Sequence, residues 1–209
     1  MSPLWKRKGR NVSFPARKMR RNMNMNKIRE IAFKLRGGLW TALYLGVLFL
    51  AKPVSVPALA AGLILVVIGQ CVRFWAAGCI TRYRGEKVGA VRLVTWGPYA
   101  LVRNPLYVGN GLIGAGWGIL AGWKALLLFA AAFFVLYGVL IVPWEETFLR
   151  TKFGREYENY ASRTGRFFPR KTVGFSLKGP FDHSVLWKSE RHSLFVTLAG
   201  TAVLLFRVL

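Results

Sequence analysis

Two polar runs stand out in this otherwise apolar sequence because they contain residue types that bind charged ligands. The first run covers positions 96–109 and reads WGPYALVRNPLYVG. The second begins with Glu145-Glu146, continues through FGREYENY at 153–160 and closes with RFFP at 166–169. Paired acids and a proline-interrupted polar turn cost free energy beside lipid, so their presence indicates a site. The runs contain no recognisable nucleophile paired with a base, which favours binding and orientation of a polar ligand over covalent catalysis.

The two prolines of the first run determine its local geometry. Pro98 suits the first turn of a helix, whereas Pro105 cannot continue one. The pattern therefore predicts a short helical turn, a break at Asn104 and a restart into a long apolar helix. An alternative is an interfacial elbow that places Arg103 on phosphate headgroups. It explains the prolines, and explains Tyr99, Asn104, Tyr107 and Gly109 less well.

The composition predicts an all-α integral membrane protein with about five transmembrane helices. Hydrophobic residues make up 54% and aromatic residues 14% of the 209 positions, and the mean hydropathy is +0.34. These values exceed those of an ordinary soluble domain. The predicted apolar segments are Leu39–Ala51, Ala58–Ile80, Leu106–Gly122, Ala125–Val142 and Ser193–Leu209. Residues 144–169 are predicted to form an amphipathic helical segment, broken at Gly154, that lies on the cytoplasmic side and completes the ligand pocket.

The net charge of +23 is distributed unevenly along the chain. Residues 1–36 contain 12 Lys/Arg and one acid, Glu30, and further basic clusters occupy 82–103 and 150–191. The intervening connections contain only Lys52 and Lys124. This alternation favours a multi-pass protein of a bacterial inner membrane or the endoplasmic reticulum, with a cytoplasmic N-terminus and membrane lipids as partners. It argues against nucleic acid as the partner.

Charge and hydropathy together divide the chain into four parts. Residues 1–36 are predicted to be a basic cytoplasmic arm ending in an amphipathic helix, which Gly37-Gly38 terminates. Residues 37–169 form the membrane core, 170–192 a cytoplasmic linker, and 193–209 a C-terminal transmembrane helix. Cys71 and Cys79 are interpreted as small core residues, and the residue pattern predicts no metal site. The oligomeric state is not indicated.

In order and spacing, the two runs resemble the motifs of the isoprenylcysteine carboxyl methyltransferase and phospholipid methyltransferase family of integral membrane enzymes. That family carries Gly-Pro-Tyr…Arg-His-Pro-x-Tyr-x-Gly, then Glu-Glu…Phe-Gly-x-x-Tyr-x-x-Tyr…Arg-Phe-x-Pro. The resemblance covers roughly residues 70–169. It implies that the two runs enclose S-adenosylmethionine at the membrane interface. A lipid-like methyl acceptor would enter laterally, with either an isoprenylcysteine-type carboxylate or a phospholipid-type amine.

Carried over residue by residue, the resemblance implies a set of site residues. The implied catalytic residues are Arg103, Asn104 and Glu145. The implied cofactor-binding residues are Tyr99, Asn104, Pro105, Tyr107, Gly109, Gly111, Glu145, Glu146, Tyr157 and Tyr160. Carboxylates can hold the ammonium, sulfonium and ribose hydroxyls of the cofactor, and aromatic rings can contact the sulfonium. Asn104 departs from the family, which usually has histidine there; an amide retains hydrogen bonding but cannot titrate near neutrality.

Other interpretations, without a methyltransferase site, account for individual residues and for the whole chain. Glu146 could simply pair with Arg150 at helical spacing, and glycines of the third segment could serve helix packing. An NADPH-dependent membrane reductase of the sterol reductase type resembles the same family, but it favours an Arg-Asp type run in place of Glu145-Glu146. A non-catalytic basic lipid-binding protein would account for Asn104 and for the long basic arm.

Overall fold

The structure is a computed structural model that describes residues 16–80, 92–170 and 175–209. Regular secondary structure in these ranges is helical, apart from one isolated bridge between Val102 and Gly165. The helices are α1 Ala16–Lys34, α2 Arg36–Phe49, α3 Val56–Gly78, α4 Pro105–Ala121, α5 Trp123–Phe133, α6 Val142–Phe153, α7 Arg155–Arg163 and α8 His183–Val208. A 3-10 turn, Gly97–Ala100, precedes α4, and a π-helical stretch, Phe134–Ile141, joins α5 to α6. The all-α prediction is confirmed, while residues 1–15 of the basic arm and 81–91 of the 81–97 loop lie outside the described residues.

Three helical stretches of the described chain are long and apolar enough to cross a membrane, namely Val56–Gly78, Trp123–Phe153 and His183–Val208. Residues Met25–Lys34 and α2 meet the same criteria as a pair, but they are bent by 73°. Helix α4 has 17 residues and separates two of the spans. The integral membrane character is therefore supported, whereas the count of five crossings stays a prediction.

Several predicted boundaries are wrong, and each error has a local cause. The first break falls at Leu35, and Gly37-Gly38 lie inside α2, since backbone groups in an apolar environment must bond within the helix even at glycine. The fourth segment does not end at Val142 but continues to Phe153, where Gly154 ends it with φ +50° as predicted. The last helix begins at His183 rather than Ser193.

Two local features explain the helices that run past their predicted ends. Asp182 caps α8, because its carboxylate accepts the backbone N–H groups of Ser184 and Val185. Pro143 lies in the first turn of α6, directly after the π-helical stretch. A proline inside a helix removes one backbone donor and crowds the preceding turn, and the wider π-helical turn absorbs this without ending the helix.

The connections between helices collect at two opposite ends of the bundle. At one end the backbone N–H of Lys52 donates to the carbonyl of Ala121 at 3.2 Å, which places the two lightly charged turns together. At the other end the N–H of Asp182 donates to the carbonyl of Gly78 at 2.8 Å. Both polar runs lie at this second end, as the charge alternation predicts. Which end faces the cytoplasm stays a prediction.

Helices α3 and α4 pack backbone to backbone along their glycines. A Cβ atom placed on Gly116 would lie 2.5 Å from the carbonyl oxygen of Gly62, and one on Gly69 would lie 2.8 Å from that of Gly109. Such contacts leave no space for a methyl group. The packing interpretation of the third segment therefore agrees with the structure at Gly116, while Gly109, which the resemblance assigns to the cofactor, also packs against α3.

We expect Gly116→Ala to lower the free energy of unfolding by about 1–3 kcal/mol, because overpacking forces α3 and α4 apart. Gly37→Ala is the matched control, since a Cβ there meets nothing within 4 Å. It should be neutral or stabilise the helix by up to about 1 kcal/mol. Thermal unfolding of both variants in detergent measures the difference, and equal losses would contradict the packing argument.

Candidate functional site

The two polar runs are joined directly by backbone and side-chain contacts. Val102 and Gly165 form a parallel bridge, and the N–H of Arg103 donates to the carbonyl of Gly165 at 2.8 Å. The amide nitrogen of Asn104 donates to the carbonyl of Arg166 at 3.3 Å. The break at Asn104 is confirmed, since this residue separates the 3-10 turn from α4.

Arg103 is the main link between the runs. Its Nε donates to Glu146 Oε1 at 3.0 Å, and its Nη1 donates to the carbonyls of Ala161, at 2.9 Å, and of Thr164. Its side chain is only 12% exposed. One guanidinium therefore fastens α6 and the end of α7 to the first run. The alternative that places Arg103 on lipid headgroups disagrees with these contacts.

Glu146 is held between two arginines. Arg166 Nη2 donates to its Oε2 at 2.6 Å, while Arg103 occupies Oε1. The side chain of Glu146 is 7% exposed, so the two guanidinium groups offset the cost of burying its charge. The alternative pairing with Arg150 is not observed. A contact between Glu146 and the cofactor stays a prediction.

Glu145 has a different environment from its neighbour. It is 7% exposed, and its Oε1 accepts a hydrogen bond from the hydroxyl of Tyr107 at 2.9 Å. Among the residues that the structure describes, no lysine, arginine or histidine forms an ion pair with it. A buried carboxylate without a cationic partner is costly, so the site suits a cationic ligand group.

The tyrosines of α7 support the first run from behind. The hydroxyl of Tyr160 donates to the carbonyl of Tyr99 at 2.8 Å, which braces the 3-10 turn. Burial raises the pKa of Tyr157 to about 12 and raises the pKa of Tyr160 further still, so both hydroxyls remain protonated donors at neutral pH. Their rings pack with Leu93 in a buried cluster. The structure thus shows a supporting role, and their contact with the cofactor stays a prediction.

The predicted residues on α4 contact neighbouring helices. Pro105 is fully buried and starts the helix, and the ring of Tyr107 lies 4.6 Å from that of Tyr137. A Cβ on Gly109 would meet Arg73 Cγ at 2.5 Å, and one on Gly111 would meet the ring of Phe133 at 3.0 Å. Both glycines therefore allow neighbouring helices to pack closely against α4. Cofactor contact at these two positions stays a prediction.

A buried ion pair between α3 and α8 was missed by the sequence reasoning. Arg73 Nε and Nη2 donate to the two oxygens of Glu190, both at 2.9 Å, and Nη1 donates to Asn110 Oδ1. The side chain of Glu190 is 2% exposed. Glu190, Thr197 and Thr201 are all buried. Their helical spacing in the sequence was the one sign that a polar face of the last helix contacts the bundle.

The segment 175–182 lies across the first run. The N–H of Gly97 donates to the carbonyl of Ser176 at 3.1 Å, and the indole of Trp96 donates to the carbonyl of Pro180 at 2.9 Å. Gly179 packs directly against the Trp96 ring. Residues that were interpreted as part of a linker therefore cover the 3-10 turn that the prolines create.

Comparison with known proteins finds a family model and several curated relatives that are similar to this chain. The phospholipid methyltransferase family model matches residues 57–156. The chain is 34% identical over 122 residues to the nickel-cobalt-cadmium resistance protein NccN of Alcaligenes xylosoxydans xylosoxydans, covering 57% of this chain and 54% of that protein. It is 38% identical over 120 residues to the cobalt-zinc-cadmium resistance protein CzcN of Cupriavidus metallidurans, covering 57% and 53%. It is also 32% identical over 114 residues to a probable protein-S-isoprenylcysteine O-methyltransferase of Oryza sativa subsp. indica, covering 52% and 59%.

These matches confirm the resemblance that the two runs indicate. The alignments span only about half the length of the curated relatives, and no solved structure matches the chain. Two of the relatives are named for resistance to metals. Within the described ranges, no three His, Cys, Asp or Glu side chains are grouped so that they could hold a metal ion.

Proposed function

We propose, from the match of residues 57–156 to the phospholipid methyltransferase family model, that the protein is a membrane enzyme that transfers a methyl group from S-adenosylmethionine to a lipid-like acceptor. The observation that carries this proposal is Glu145, a buried carboxylate that has a tyrosine donor and no cationic partner among the described residues. The cofactor supplies an electrophilic methyl group on a sulfonium and also bears an ammonium. Either cation would offset the buried charge.

The arginine pair at Glu146 supports the same proposal by making the site rigid. Arg103 and Arg166 neutralise Glu146 and hold the two runs against each other. A rigid pocket wall is what orientation-based catalysis requires, because a displacement needs the acceptor, the methyl carbon and the leaving sulfur in line. Exclusion of water from such a pocket strengthens each polar contact. This chemistry needs no covalent nucleophile.

Asn104 fits a role in holding the site together. Its side-chain amide donates to the backbone of the second run, and its backbone carbonyl accepts from the N–H groups of Tyr107 and Val108, as that of any residue would. An amide performs these tasks as well as a histidine would. We therefore assign Asn104 to positioning, with Arg103 as its neighbour in that role and Glu145 as the group that contacts the cofactor.

The reductase alternative is less well supported. An NADPH-dependent reductase would need basic groups free to bind a 2′-phosphate, whereas Arg103 and Arg166 are paired with Glu146.

We place the site at the cytoplasmic face of the membrane, because the basic connections lie at this end of the bundle and the lightly charged turns lie at the other.

We expect Glu145→Gln to weaken binding of S-adenosylmethionine about tenfold or more, because a charge-assisted contact contributes about 1.5–3 kcal/mol. The amide keeps the size of the side chain and can still accept from Tyr107. Glu158→Gln on the exposed side of α7 removes the same charge away from the site and should leave affinity unchanged. Calorimetry on detergent-purified protein, with NADPH titrated in parallel, measures both. Unchanged affinity in Glu145→Gln, or binding of NADPH instead, would refute the proposed function.

A further inference from the structure

Tyr137 is a buried tyrosine of the π-helical stretch. Its hydroxyl accepts two hydrogen bonds from described residues and donates none to them. Trp40 Nε1 and Asn110 Nδ2 both donate to its hydroxyl oxygen, the second at 3.4 Å. The indole can only donate. The orientation of the Asn110 amide is also set, because Arg73 Nη1 donates to Asn110 Oδ1 and a guanidinium has no acceptor. The amide nitrogen therefore faces Tyr137.

Both lone pairs of the Tyr137 oxygen are consequently occupied by donors. Its own proton must point in a third direction, and the described residues provide no acceptor for it. The side chain is 1% exposed, so bulk water does not fill this role. A buried hydroxyl proton without an acceptor is costly, so a ligand oxygen placed in that direction would be stabilised.

The position of Tyr137 connects this donor to the proposed reaction. Its ring lies 4.6 Å from the ring of Tyr107, whose hydroxyl holds Glu145. On its other side is Trp40 of α2, which is only partly buried. The hydroxyl thus lies beside the proposed cofactor pocket and one side chain away from the outer surface of α2. A lipid-like molecule approaching from that surface would meet Trp40 first, with the Tyr137 hydroxyl directly behind it.

We propose that Tyr137 binds the methyl acceptor by donating its phenolic proton to a carboxylate oxygen. This inference rests on the proposed function and specifies the class of acceptor. A carboxylate that accepts this bond keeps other lone pairs, and its second oxygen forms the new C–O bond while the carbon–sulfur bond breaks and its electron pair stays on sulfur. No proton moves. An amine would give up to Tyr137 the lone pair that it needs for attack, so this donor favours carboxylates over amines.

The experiment compares two probes that share one lipid tail, with the full chain in phosphatidylcholine nanodiscs. N-acetyl-S-farnesylcysteine carries the carboxylate and S-farnesylcysteamine carries an amine instead. Equilibrium binding is measured without cofactor. We expect Tyr137→Phe to weaken binding of the carboxylate about tenfold and to leave binding of the amine unchanged. Tyr44→Phe is the matched control, because it removes a hydroxyl that donates to the Gly200 carbonyl at 2.7 Å, away from the site.

Two further measurements separate a binding role from a structural one. Trp40→Phe removes one of the two donors that orient the Tyr137 hydroxyl but keeps the hydroxyl itself, so carboxylate affinity should fall by about threefold, less than in Tyr137→Phe. Equal loss of both probes in Tyr137→Phe, unchanged carboxylate affinity, or absence of carboxylate binding to the wild-type protein would each overturn the inference. S-adenosylmethionine binding is titrated separately, so failure of the cofactor to bind would refute the proposed function and leave the carboxylate result to be judged independently.

Discussion

Arg103→Met is expected to lower the free energy of unfolding by about 3–5 kcal/mol, the loss typical of removing one partner from a buried ion pair. The substitution leaves Glu146 with only Arg166, whose side chain is 41% exposed. It also leaves the carbonyls of Ala161 and Thr164 without their donor. Thermal or detergent-induced unfolding of the purified protein measures the change. Binding of S-adenosylmethionine should be lost as well, because the two runs are no longer fastened together.

The control for this prediction is another arginine of the same region. Arg150 lies on α6 one turn beyond Glu146, and it is exposed. Arg150→Met should therefore change stability by no more than about 0.5 kcal/mol. A similar loss in both variants would show that net charge, rather than the contacts of Arg103, determines the result.

Glu190→Leu is the second substitution with a large expected effect. It should cost about 3–5 kcal/mol, because Arg73 would remain charged and without its carboxylate between apolar helices. Arg73→Met combined with Glu190→Leu should recover most of that loss, since two apolar side chains of similar volume need no counter-charge. Unfolding of the two single variants and the double variant forms a double-mutant cycle.

One outcome of the double-mutant cycle would contradict the prediction that the two residues are coupled. Additive losses in the double variant would mean that Arg73 and Glu190 stabilise the fold independently of each other. The exposed pair of Glu30 and Lys34 on α1 is the matched reference, because their oxygen–nitrogen distance of 2.8 Å is similar but both side chains face solvent or headgroups. Its coupling should be below about 1 kcal/mol.

The sequence predicted helices well where a long apolar run determines them. It predicted helix ends less well where a capping residue or a tertiary contact determines them. Long apolar runs have few alternatives to helix, so the placement of α3 and α4 followed from composition. Two predicted helix boundaries were wrong, at Gly37-Gly38 and at Ser193. A glycine pair is typical of a helix end, and the polar residues before Ser193 are typical of a linker. Only the packed structure shows that Glu190 has a partner inside the bundle.

The sequence indicated which side chains the two polar runs would bring together, but not the contacts between them. The spacing of the two runs identified Arg103, Glu145 and Glu146 together. It could not distinguish the acids, because the difference between them is tertiary: Arg103 and Arg166 reach Glu146 from positions 43 and 20 residues away in sequence. Tyr137 and Trp40 lie 97 residues apart, and no local pattern relates them.

The bridge between Val102 and Gly165 has a consequence for how the protein is made. It closes a loop that contains the whole α4–α5–α6 hairpin, so it cannot form until residue 165 has left the ribosome. The apolar hairpin is synthesised earlier, and chains generally fold from the N-terminus as they emerge. We therefore expect the candidate span Trp123–Phe153 to insert before the site assembles, with Glu145-Glu146 held near its end until the second run is synthesised. A chain truncated before residue 165 would reach the bilayer with its hairpin complete and its two acids still unclamped.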